Sequence, residues 1–279
     1  MECVEHYSRT EFTNPGDRLV ALSSLARAVD RNLEHPDLYC AGLWKSSLLN
    51  DLLWMRVRLP SSESPQRLNI APTWSWASVQ GEIWFQNLGI RPRALLSATS
   101  SVQVLDVKLV PSQRDNPYGN IKEGRLKLVA QVVDVCIWTE HAKMDKLGPG
   151  WVGTREALRL EIEEKDSQGY SKISRWIHWD EWQGNTKEEK EYKIVHVQSM
   201  HWGNSRPGVV FEWVALIVEQ VQGTQSEHAV DDHVRTYRRI GVLRDAHYRW
   251  TEDHERLIAE APMYNYGRSE LRRETIVLV

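Results

Sequence analysis

Apolar residues in the first part of the chain recur at helical spacing, and in the remainder they alternate as in strands. Leu19, Leu22, Leu25, Ala26 and Val29 share one stripe, which predicts an amphipathic helix over about 17–30 after the turn Asn14-Pro15-Gly16-Asp17. His35-Pro36-Asp37 ends it. Leu43, Trp44, Leu48, Leu52 and Met55 form a second stripe, widened by Leu49, Leu53 and Trp54. A second, nearly buried helix over 39–58 is expected from it. Ala71-Pro72-Thr73-Trp74-Ser75-Trp76-Ala77-Ser78 reads as extended, with Trp74 and Trp76 on one face, buried against the helix that carries Trp44, Leu48 and Leu52. A return strand over 81–85 should follow.

From Thr99 onward strands dominate. Val102, Val104, Asp106 and Lys108 are expected on one face of a strand, with Leu105, Val107 and Leu109 on the other. Residues 124–138 form a long strand candidate whose nearly continuous end is buried on both faces or bulged. Further strands are predicted at 158–162, 193–198, 209–220, 237–243 and 274–279, and a helix at 251–261. The reading is α+β, a helical pair packed on a mostly antiparallel β-rich body, a distorted barrel or sandwich. A seam near 91–100 would separate a helical segment with its Trp-Ser-Trp connector (1–90) from the body (91–279), unless the two form one continuous domain.

Composition narrows the function classes. With 279 residues, 41% apolar and 26% charged, the chain should be globular. A net charge of −3 gives no basic excess for nucleic acid or an anionic membrane surface. The short basic patches at Arg235–Arg239 and Leu271–Arg273 read as solvated strand edges. Cys3, Cys40 and Cys136 form no close-spaced motif, so reduced, partly buried thiols are expected. The first residues show no signal-peptide pattern. The longest apolar run, Val209–Val218, is interrupted by Glu212 and is far shorter than the ~20 residues of a membrane helix. A cytoplasmic location follows as an expectation. Tryptophan is the outlier, with 13 copies against 3 phenylalanines. A core built from indoles is expected ahead of a sugar-binding face.

Candidate chemistry is sparse. His228, Asp231, Asp232 and His233 offer metal-ligand atoms, but in a polar loop they read as solvated side chains, and no metal site is expected. Asp180 and Glu181 offer a carboxylate for hydrolysis, but as neighbours on a strand they point to opposite faces, so a distant partner would be needed. Trp176, Trp179 and Trp182 could form a carbohydrate-binding row if displayed together. His196 and His201 flank Ser199, without the strand–turn–helix setting of a nucleophile. No dinucleotide, phosphate-loop or zinc-protease motif is present. No cofactor and no small-molecule ligand is expected.

Several segments, in order, resemble fungal heterokaryon-incompatibility (HET) domain proteins in the region C-terminal to the HET domain. They are Tyr7-Ser8-Arg9, Asp17-Arg18-Leu19-Val20-Ala21-Leu22-Ser23-Ser24-Leu25-Ala26, Tyr39-Cys40-Ala41-Gly42-Leu43-Trp44, Leu52-Leu53-Trp54 and Ala71–Ser78. Tyr118-Gly119, Gly124-Arg125-Leu126 and Tyr237-Arg238-Arg239-Ile240-Gly241 are weaker landmarks. No segment here resembles the HET domain itself, and Ser23-Ser24 stands where a Ser-Gly pair is usual. The resemblance implies a role in nonself recognition and programmed cell death. The expectation is a non-enzymatic accessory or recognition region that contacts a protein partner, with Trp44, Trp54, Trp74 and Trp76 as structural landmarks. A carbohydrate-binding module and a hydrolase using Asp180 or Glu181 are the alternatives.

Overall fold

The computed structural model describes residues 2–10, 12–35, 37–58, 67–85, 95–100, 102–137, 157–166, 169–180, 190–203, 209–221, 234–249 and 272–279. The predicted helix at 251–261 and the polar loop with His228 and Asp231–His233 lie outside them.

Two short helices open the chain, α1 (Glu2–Ser8) and α2 (Arg18–Arg31). The α2 bounds follow the predicted ones closely. Asn14 accepts from the Gly16 backbone N–H to start a 3-10 turn, Pro15–Asp17, that leads into the helix. The other member of the helical pair is α1, not 39–58. That stretch instead forms a small hairpin, β1 (Tyr39–Cys40) and β2 (Leu43–Trp44), then a 3-10 turn, the single-turn helix α3 (Leu48–Asp51) and β3 (Met55–Arg58). Two local features outweigh the helical stripe. Ala41 and Gly42 both take positive φ, 52° and 95°, as a tight hairpin turn requires. Tyr39 and Trp44, opposite each other in the ladder, meet edge-to-face at 5.1 Å.

Strand β3 pairs with β4 (Glu82–Trp84). Next come β5 (Leu95–Thr99), β6 (Gln103–Pro111), β7 (Ile121–Ile137), β8 (Ala157–Asp166) and β9 (Gly169–Trp179). The chain ends with β10 (Lys190–Gly203), β11 (Val209–Gln220), β12 (Thr236–Arg249) and β13 (Arg272–Leu278). Five of them close a barrel in the order β7–β10–β11–β12–β13, with β13 returning to β7. All barrel pairings are antiparallel except β12–β13, a short parallel pair at Thr236↔Val277 and Tyr237↔Leu278. Strands β6 and β5 add to β7 and β10, and the β8–β9 hairpin extends from β12. The helical region packed on a mostly antiparallel, closed β body is the predicted fold class.

Bulges decide which side chains enter the barrel. In β6 the register shifts at Leu105, so Val104, Val107 and Leu109 pack on the core while Leu105 is 46% exposed. The simple alternation expected for this strand is therefore broken at one residue. In β12 the register shifts at Ile240, which lets Tyr237, Arg239 and Val242 all turn inward. The sealed core runs from Leu19 and Trp76 in the N-terminal region to Leu128, Leu216 and Leu278 in the barrel. Contact is close where the two meet. A Cβ added to Gly124 of β7 would lie 2.3 Å from the Pro72 ring. Among the described residues no helix is long and apolar enough to cross a membrane.

Candidate functional site

A dense polar cluster among the described residues lies inside the protein, where the Trp-Ser-Trp segment meets the barrel. The Trp-Ser-Trp segment is not an extended strand. Ser75 is extended, and its Oγ accepts from the Ala77 N–H at 3.1 Å, starting a 3-10 turn over Trp76–Ser78. The same Oγ donates to the Ala41 carbonyl at 2.5 Å. Trp74 and Trp76 are wholly buried, as expected, together with Trp54, while Trp44 is half-buried. The Trp54 indole N–H donates to the Trp74 carbonyl and the Trp76 indole N–H to the Gly42 carbonyl, both at 2.9 Å.

Behind these rings sits Arg239, with no exposed surface. Its guanidinium stacks on Trp54, 3.4 Å from the ring centroid. It donates to both carboxylate oxygens of Asp180, Nε to Oδ2 at 3.0 Å and Nη2 to Oδ1 at 3.1 Å. It also donates to the carbonyls of Leu52 and Trp54, each at 2.6 Å. Burial pushes the guanidinium down to about 10, and the Asp180 charge opposes that shift. Arg67 donates to Asp180 Oδ2 at 3.4 Å, to the Ser78 hydroxyl at 3.0 Å and to the Arg239 carbonyl. Arg56 donates to the Asp180 carbonyl at 2.6 Å. One fork-shaped cation thus ties residues 52–54 to the end of β9 and to β12. A lysine could not fill this site, because it lacks the planar fork and the stacking face.

This geometry revises two expectations. Arg239 is no solvated edge charge: β12 is paired on both sides, and only Arg235 of that patch is exposed. Arg238 is half-buried and pairs with Glu219 at 2.6 Å. Asp180 is 1% exposed, and both carboxylate oxygens are engaged by arginines. Glu181 and Trp182 lie outside the described residues, as does the side chain of Trp176. Trp179 is 6% exposed and packs against Tyr192 at 5.9 Å.

A second buried cation, Arg18, lies between Phe12 and Trp76, 5.6 and 5.4 Å from their ring centroids. Its Nε and one Nη have no hydrogen-bond partner among the described residues, and burial pushes the group down to about 10. Cys3 is exposed, and only Cys40 of these two free thiols is buried. No group of three or more His, Cys, Asp or Glu is placed to hold a metal among the described residues.

His196 and Ser199 form a pair that the sequence did not bring together. A bulge at Val197 puts them on one face, with the imidazole Nε2 3.0 Å from the hydroxyl. His196 is 6% exposed, and burial holds its pKa below the ordinary value. The unfolded chain therefore takes up the proton first as pH falls through about 6.5. More protons on the unfolded state means stability drops with falling pH in that window. His196→Gln should shrink the loss, read as a smaller difference between urea midpoints at pH 7 and pH 5. An unchanged difference would place the acid sensitivity elsewhere.

Comparison with protein-family models, curated proteins and solved structures finds no match.

Proposed function

We propose that this chain is a non-enzymatic recognition region of the HET type, working in the cytoplasm through contacts with a protein partner in nonself recognition and cell-death signalling. One observation carries the reading. Part of the apolar stripe of α2 is left uncovered by the described residues. Leu19 and Ala26 are buried, but Leu25 is 47% and Val29 41% exposed, and these two lie one helical turn apart on the same face. Single exposed apolar residues are ordinary, whereas a row along one helix face marks a contact surface. Grooves in partner proteins read such faces at this spacing.

Each of the other two readings loses one of its named residues. A hydrolase needs a solvent-reachable carboxylate, and Asp180 is sealed and paired. A sugar-binding row needs displayed indoles, and Trp179 is packed inside.

The test is a paired variant, Leu25→Glu with Val29→Lys, which keeps a favourable charge pair at helical spacing. Thermal stability should stay within about 0.5 kcal/mol of the parent, as for surface substitutions. A partner recovered from fungal extract by the parent should bind the variant at least about tenfold more weakly. Equal recovery of the same proteins by both would remove the reading.

A further inference from the structure

A separate pocket lies on the barrel side of α3, with a volume of about 290 Å³. That is close to the lower end of the range for small-ligand sites. We propose that it binds a neutral polyhydroxy ring, a pyranose sugar, through the amides of Gln198 and Asn50 with the ammonium of Lys45 at the rim.

The strongest observation concerns Gln198. The Val197 bulge turns it toward the inner side of β10, where it is 9% exposed and lines the pocket. Its side-chain amide makes no hydrogen bond among the described residues. The little surface that Gln198 keeps opens on the pocket, where water or a ligand can complete the amide. Asn50 offers a second amide, and each can both donate and accept. Adjacent hydroxyls of a sugar ring present that same mixed pattern.

The rest of the lining fits a neutral ring. Leu49, Val104 and Val197 supply an apolar patch for its C–H face. The hydroxyls of Ser46 and Ser47 already donate to Asp37 and Asp51, so they meet a ligand as acceptors. The Ser100 hydroxyl donates to the Val197 carbonyl at 2.6 Å in the same way. The charges around the pocket are mixed. Lys45 opposes a cationic ligand, while the carboxyls of Asp37 and Asp51 behind the serines offset its attraction for an anion. The site is independent of the α2 face, so either reading can fail alone.

The experiment is a titration of the full chain, followed by the side-chain amide signals in ¹H–¹⁵N spectra. The Gln198 signal is identified by its loss in Gln198→Leu, a substitution of similar size that suits a buried strand position. The probes are glucose, mannose, galactose and N-acetylglucosamine, with sorbitol as an open-chain control. At least one ring sugar should shift the Gln198 and Asn50 signals with a Kd in the millimolar range, about 4 kcal/mol or less of binding free energy. Sorbitol should shift them far less. Lys45→Ala should weaken binding several-fold, and Gln198→Leu should abolish it with the fold intact. No shift with any of the four sugars, or equal shifts with sorbitol, overturns the proposal.

Discussion

Arg239→Met is expected to cost about 3 to 5 kcal/mol of folding stability, the range for breaking a buried ion pair from one side. Methionine fills the space with a flexible apolar chain but leaves Asp180 charged in a site that is 1% exposed. It also strips the Leu52 and Trp54 carbonyls of their donor. Arg239→Lys should recover little, since an ammonium cannot span both carboxylate oxygens and stack on Trp54 together. The double variant Arg239→Met with Asp180→Leu should be less damaged than the two single losses summed, because the sealed carboxylate leaves together with the cation it faced, and Arg67 keeps its bonds to the Ser78 hydroxyl and the Arg239 carbonyl. Urea unfolding of the parent, the three single variants and the double variant measures this. A cost below about 1 kcal/mol for Arg239→Met would mean that the cluster only fills space.

The same residue shows where the sequence stops being legible. Strand patterning located β10, β11, β12 and β13, because alternation survives wherever one face meets the core. It did not give closure. That depends on β11 pairing with β12 on one side and β13 running parallel to β12 on the other, which no local signal carries. Nor could alternation find Arg239, which sits beside the Ile240 bulge in a run of basic residues. An isolated look at Arg235–Arg239 favours solvent for all of its charges. The clue lay 59 residues away, in a strand-end aspartate followed by nothing that balances it nearby. The 39–58 segment failed for another reason. Leucines crowded around a 3-10 turn and a single helical turn mimic a helix stripe, and Gly42 was the residue that should have broken the pattern. On α2 the periodicity was right. A stripe predicts an apolar face, and what covers that face is a separate matter.

Trp76→Ala is expected to cost about 3 to 5 kcal/mol, as large aromatic truncations in cores do. Three contacts go at once. The indole fills the space over Gly42, where an added Cβ would stand 2.5 Å from its Nε1. Its ring faces the Arg18 guanidinium and the edge of Tyr7, 6.3 Å away. Its N–H holds the Gly42 carbonyl. Comparing phenylalanine substitutions separates the hydrogen bond from the volume. Trp76→Phe leaves the Gly42 carbonyl without its donor, whereas the Trp74 indole N–H is buried with no partner among the described residues. Trp76→Phe should therefore cost about 1 kcal/mol or more beyond Trp74→Phe. Gly42→Ala should be damaging in its own right. It adds a side chain at φ 95° and drives it into the indole, so only a smaller ring at 76 could partly relieve it. A Gly42→Ala protein that Trp76→Phe makes worse, not better, would show that backbone conformation alone requires glycine there. If Trp76→Ala were as stable as the parent, the Trp-Ser-Trp segment would not be what joins the helices to the barrel.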